Sequence, residues 1–242
     1  MTDQASTVDG FGFLTRKFFG GCEVDGKSQK LECRGGLRHA FFYQQPCKIV
    51  VKKKAFGDVL IAGGIPSSLF ISDELLDVFR EAEITGFEVA EADVRIPFPH
   101  EPSQAKFWQV IVTGWGGIAN PASGIVELDR ETYGTHKYAP CTDVRMMLDP
   151  EQYDGTDLFL VWPLPYKVWV SPRLSKLLAS KRVKHYEIDP VESYRFERLE
   201  SDPVGFGPYP LECYFTAARA AEVGSAHGID WFDYSKPPYS RG

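Results

Sequence analysis

Apolar residues recur along the chain in short runs broken by turns, and two stretches show the pattern most clearly. In residues 58–89, DVLIAGGIPSSLFISDELLDVFREAEITGFEV, an apolar run (Val59 to Ala62) ends at a proline turn and a second short strand follows (Leu69 to Ile71). Leu75, Leu76, Val78, Phe79 and Ala82 then recur at spacings of three and four, which marks one buried face of a helix. Ser72 stands where its side-chain oxygen can accept a bond from a free N–H of the first turn, so the helix is expected to begin there. Asp73 and Glu74 complement its positive end. Gly86 suits a left-handed exit into a strand over Phe87 to Val89.

The same order returns ninety-nine positions later, in residues 157–188, DLFLVWPLPYKVWVSPRLSKLLASKRVKHYEI. The two stretches align without a gap, with five identities (Asp58/Asp157, Pro66/Pro165, Ser72/Ser171, Leu75/Leu174, Glu88/Glu187) and apolar facing apolar at fourteen positions. Here Ser171 is the cap, and Pro172 takes the first helical position, where its missing N–H costs nothing. Leu174, Leu177 and Leu178 mark the inner face, and His185 falls in the column of Gly86 as a turn residue. A degenerate internal duplication explains the alignment; the competing explanation is that any two strand–helix–strand segments share this periodicity. The expected fold is α+β: two similar β-β-α-β units, with short helices packed on mixed, mainly antiparallel sheets. The domain reading is one compact unit of two related halves, about 1–130 and 131–242.

Elsewhere Phe107 to Thr113 reads as a strand, and TGWGGIANPASG after it as a loop. Asn120-Pro121 favours a turn there over the helix that a phosphate cradle needs, so phosphate binding is not expected. FGFLTRKFFGG and LRHAFFYQQP read as short strands, the Lys52 to Lys54 run as a solvated turn or edge strand, and Leu211 to Val223 as a further helix. The aromatic, proline-rich tail DWFDYSKPPYSRG reads as an arm laid on the surface.

Charge separates the two similar stretches. Asp73, Glu74, Asp77, Glu81, Glu83, Glu88, Glu91 and Asp93 gather around the first helix, and Arg173, Lys176, Lys181, Arg182 and Lys184 around the second. Two solvated faces are one explanation; an acidic face that docks a basic protein, or two faces that meet each other, is the other. A net charge of −6 argues against nucleic acid as a partner. No apolar run reaches the ~20 residues of a membrane helix, and Met1 to Gly10 lack the pattern of a secretory signal, so a cytoplasmic, soluble chain is expected.

Chemistry is sparse. There is no Walker loop, HExxH helix or GxSxG elbow, and the five scattered cysteines form no metal-binding pair, so neither cofactor nor metal is expected. Cys47 with His39, or Cys141 with His136, could form a dyad only through tertiary proximity.

The segment LDPEQYDGTDLFLVWPLPYKVWVSPRLSKLLASKRVKHYEIDP, with SSLFISDELLDVFREAEITGFEVAEAD, resembles the bacterial immunity proteins of the double-CXXCG motif family and related families of polymorphic toxin systems. The likeness covers about a third of the chain, through the element of strand, serine cap, short helix and Gly-Phe-Glu strand. The family's cysteine pairs are missing, with Cys141 alone near where one would fall, so no metal site is carried over. The resemblance implies a non-enzymatic protein that binds and neutralises a cognate protein toxin. Of the acidic residues, Asp73, Glu74, Asp77 and Glu81 are the candidate partner-binding set, since such a surface suits a basic toxin. The alternative is an enzyme or small-ligand-binding protein with its site between the halves; a structural or assembly subunit, suggested by the aromatic content and tail, is a third possibility.

Overall fold

Both stretches fold in the expected order. In the computed structural model, which describes residues 10–16, 22–24, 28–32, 38–43, 47–51, 57–61, 69–95, 106–127, 146–165, 167–183, 186–194, 211 and 214–229, the first is β6 (Val59–Ile61), β7 (Leu69–Ser72), α1 (Asp73–Glu81) and β8 (Phe87–Arg95). The second is β11 (Leu158–Trp162), β12 (Trp169–Val170), α2 (Pro172–Ser180) and β13 (Tyr186–Pro190). Around them lie β1 (Gly12–Arg16), β2 (Cys22–Val24), β3 (Ser28–Glu32), β4 (Arg38–Tyr43), β5 (Cys47–Val51), β9 (Phe107–Val112), β10 (Gly114–Ile118) and α3 (Ala217–His227). One sheet has the order β10-β11-β12-β1-β13, a second β2-β5-β8-β9-β7-β6, and β3 pairs with β4. Only β10 with β11 and β5 with β8 run parallel among the described pairs, so the class is α+β with mixed, mainly antiparallel sheets.

The two stretches share several local pairings and both helix caps. Val59 pairs with Ile71 and Leu60 with Phe70; ninety-nine positions on, Leu158 pairs with Val170 and Phe159 with Trp169. Ser72 accepts from the Leu75 N–H at 3.2 Å and Ser171 from the Leu174 N–H at 3.1 Å. The Ser72 and Ser171 N–H groups donate to the Asp58 and Asp157 carbonyls, each at 2.9 Å. Alanine at Ser72 is expected to cost about 1 kcal/mol, the usual worth of a helix cap. Ser171 also donates to the Asp157 carboxylate at 2.6 Å, so Ser171→Ala should cost about 2 kcal/mol. Urea unfolding of the two variants checks the order; equal losses would remove the special role of Ser171.

Three local expectations need correction. The left-handed residues that end the helices are Glu83 (φ +51°) and Arg182 (φ +53°), three places before Gly86 and His185, and the Ile84 and Val183 N–H groups after them close the helices on the Phe79 and Leu178 carbonyls. Gly86 does have φ +88°, but its position serves the turn into β8, and His185 lies outside the described residues. TGWGGI is not a loop: residues 114–118 form β10 beside β11, with the register shifting between Trp115 and Ile118. Glycine is what lets β10 come so close, since a Cβ at Gly116 would stand 2.3 Å from the Phe159 ring. The turn after it is present, with Asn120 capping a 3-10 turn over Pro121–Ser123. The last helix begins at Ala217, where Thr216 caps it, and runs to His227 before Gly228 at φ +64°. Lys52 to Lys54 and the tail from Asp230 lie outside the described residues.

Leu75, Leu76 and Phe79 of α1, Leu174 and Leu178 of α2, and the inner faces of both large sheets join one buried apolar cluster. Trp169 and Phe159 in that cluster are wholly buried. The outer faces of α1 and α2 are left to solvent, as their charges require.

Candidate functional site

The four acidic residues of α1 divide by environment. Asp73 is half-buried at the first turn and accepts from the Trp108 indole N–H at 2.6 Å. Lys106 lies over that indole, 4.2 Å from its centroid, and reaches Glu91 at 3.8 Å, so Asp73 belongs to a contact that fixes α1 on β9. Asp77 is exposed and pairs with Arg80 one turn on, at 3.2 Å. Glu74 and Glu81 are exposed and make no hydrogen bond or ion pair among the described residues. The outward face of α1 therefore consists of Glu74, Asp77 and Glu81 with Arg80 beside Asp77, a net negative surface, and the exposed Glu83 lies beyond the helix end.

The basic stretch meets the acidic one, but through backbone. Arg173, the second residue of α2, donates to the Ala82 carbonyl at 3.0 Å and the Glu83 carbonyl at 2.7 Å, the free acceptors at the end of α1. A guanidinium there satisfies both and complements the negative helix end. Its Nε donates to Asp157 Oδ1 at 3.0 Å, while its second terminal nitrogen pairs with Oδ2. Asp157 is only 4% exposed, and it also takes the Thr85 N–H at 3.0 Å, the Thr85 hydroxyl at 3.2 Å and the Ser171 hydroxyl. Burial pushes the Asp157 carboxyl up, but the hydrogen bonds from Arg173, Ser171 and Thr85 outweigh it and hold the group below the usual carboxylate range. Lys176, Lys181 and Arg182 face solvent.

A second charged node braces α3. Arg219 donates to the Thr113 carbonyl at 2.8 Å and pairs with Asp154 at 2.7 Å, and Asp154 accepts the Trp115 N–H at 2.8 Å. The His227 ring sits 5.2 Å from that of Trp115. Burial and the Arg219 charge hold its pKa below the ordinary imidazole value. Tyr153, which donates to the Thr156 carbonyl, is pushed up to about 12 by burial and by Asp157 and Asp154. These groups are engaged with backbone and with each other, as joints are.

No protein-family model matches the chain, and no curated protein matches it. Its chemistry is therefore read from its own side chains. Among the described residues no group of three His, Cys, Asp or Glu is placed to hold a metal ion. No helix there is long and apolar enough to cross a membrane. Of the two sequence-based dyads, His39 lies in β4 and Cys47 in β5, in different sheets, and Cys141 and His136 lie outside the described residues. The charged joints escaped sequence reasoning, although the Asp58/Asp157 identity and the replacement of Glu74 by Arg173 at the matching helix position were both legible.

Proposed function

We propose that this chain is a non-enzymatic immunity protein of the bacterial cytoplasm, which binds and neutralises a cognate protein toxin through the acidic face of α1. The carrying observation is the division of charge just described. Asp157, Arg173, Asp154 and Arg219 hold the fold together, whereas Glu74 and Glu81 stand outward with no bond among the described residues. Exposed like charges on one helix face repel each other mildly and add nothing to packing. They do accelerate encounter with a basic surface. The resemblance of residues 67–93 and 148–190 to immunity families supports the same reading.

The decisive experiment pairs the purified chain with toxins encoded beside its gene. Binding by one of them is expected, with an association rate that falls as salt rises. Glu74→Lys with Glu81→Lys should slow association about tenfold at low salt, because exposed charges act mainly on the on-rate. The dissociation rate and urea midpoint should barely change. A double variant that associates at the wild-type rate removes the α1 face from the interface, and failure of every neighbouring toxin to bind removes the function itself.

A further inference from the structure

The strand order contains a correspondence that the ninety-nine-residue offset does not reveal. The first unit reads β6-β7-β9-β8 across its sheet and the second reads β11-β12-β1-β13. β9 is antiparallel to both of its neighbours, and so is β1. Ile71 pairs with Trp108 and Phe70 with Gln109; at the matching places Val170 pairs with Gly12 and Trp169 with Phe13. On the other side Phe87, Val89 and Glu91 pair with Val112, Val110 and Trp108, while Tyr186, Ile188 and Pro190 pair with Arg16, Leu14 and Gly12. Both flanks thus give one and the same equivalence: Trp108 with Gly12, Val110 with Leu14, Val112 with Arg16. A one-residue slip on either side would break it and turn the strand over.

We infer that β1 is the fifth element of the second unit, donated from the other end of the chain. Each unit is β-β-α-β-β. The first draws its last strand from the residues after β8, and the second receives its last strand from the amino-terminal segment. Residues 11–16 are therefore a strap that completes the second sheet.

The packing matches that role. Phe11, Phe13 and Leu14 are buried, and the Phe13 ring lies 5.2 Å from Trp169 and 5.1 Å from Tyr194. Withdrawing the strap would expose Trp169 and leave β12 and β13 without a partner between them. Gly12 sets the closeness of fit: a Cβ there would meet Ile188 Cγ2 at 2.4 Å and the Asp189 carbonyl at 2.8 Å.

The test uses the full chain with a specific protease site inserted between Arg16 and Cys22. After cleavage the amino-terminal fragment is expected to co-elute with the remainder. A labelled synthetic peptide of residues 8–17 should replace it, and a Gly12→Val peptide should bind at least about tenfold more weakly, because the added side chain meets backbone. In the uncut wild type, the amides of Phe13 and Leu14 should exchange with solvent at the same slow rate as those of Phe159 and Val170, a readout that survives if the insertion itself disturbs folding. Loss of the fragment on cleavage with tryptophan emission and thermal transition unchanged, or β1 amides exchanging much faster than those of β11 and β12, overturns the inference.

Discussion

Replacing Gly86 with alanine is expected to lower the stability of the chain by about 3–5 kcal/mol, a large part of the 5–15 kcal/mol typical of a folded domain. Two effects add. Gly86 has φ +88°, where an L side chain is strained. The Cβ would also fall 2.1 Å from the Leu158 carbonyl and 2.8 Å from Thr156 Cβ, and neither a backbone carbonyl nor a β-carbon can swing aside. The close approach has a purpose, since the Gly86 carbonyl takes the Thr113 N–H at 2.8 Å and the Gly114 N–H at 3.1 Å. A Cβ added at Gly114 would likewise fall 2.1 Å from the Leu158 carbonyl. Gly155→Ala supplies the control: φ there is +83°, yet nothing lies within 4 Å of the added carbon, so only the strain of about 1–2 kcal/mol applies. Thermal unfolding should drop by about 10 °C or more for Gly86→Ala and by a few degrees for Gly155→Ala. Equal shifts would show that close approach at Thr85–Gly86 does not hold the sheets together.

How much of this was legible depends on whether the cause of a feature is local. Ser72 and Ser171 announce their helices because a cap acts on residues three places away, and the apolar stripes behind them select the buried faces unaided. β10 was hidden, since its glycines resemble a turn unless β11 is known to lie against them. The exits at Glu83 and Arg182 were hidden for another reason: asparagine or glycine is the usual mark of a left-handed residue, and here charged side chains adopt it. The place of β1 was hidden most completely, although FGFLTRKFFGG reads as a strand. The partners of β1 sit between 156 (Phe13 to Trp169) and 178 (Gly12 to Pro190) positions away, and its pairing equivalent, β9, shares little with it in sequence. Within the candidate interface, exposure of Glu74, Asp77 and Glu81 follows from helical periodicity, whereas the bond of Asp73 to Trp108 depends on how β9 crosses β7.

Asp157 is the residue whose loss should cost most after Gly86. Asp157→Ala removes the acceptor for Thr85, Ser171 and Arg173 at once and is expected to cost about 3–4 kcal/mol. Little of that is Coulombic, because the Arg173 side chain is 54% exposed and can turn to water. The larger part comes from the buried Ser171 hydroxyl and the part-buried Thr85 donors losing their acceptor, so Asp157→Asn, which keeps one acceptor oxygen, should cost about half as much. The pH dependence separates this node from the one at α3. A carboxyl whose folded pKa is depressed stabilises fully above its unfolded value, near 4, and the contribution fades as pH falls through the folded value. His227 behaves otherwise: its imidazole is held neutral in the folded chain, so its share of stability begins to fall as pH drops below about 6.5. Urea midpoints measured from pH 8 to pH 3 should therefore decline in two windows for the wild type. Asp157→Asn should flatten the lower window relative to wild type while leaving the decline near pH 6.5 in place. Should the asparagine variant keep the full acid-side loss below pH 4, the Asp157 carboxylate would not be the group that couples the two units to protonation.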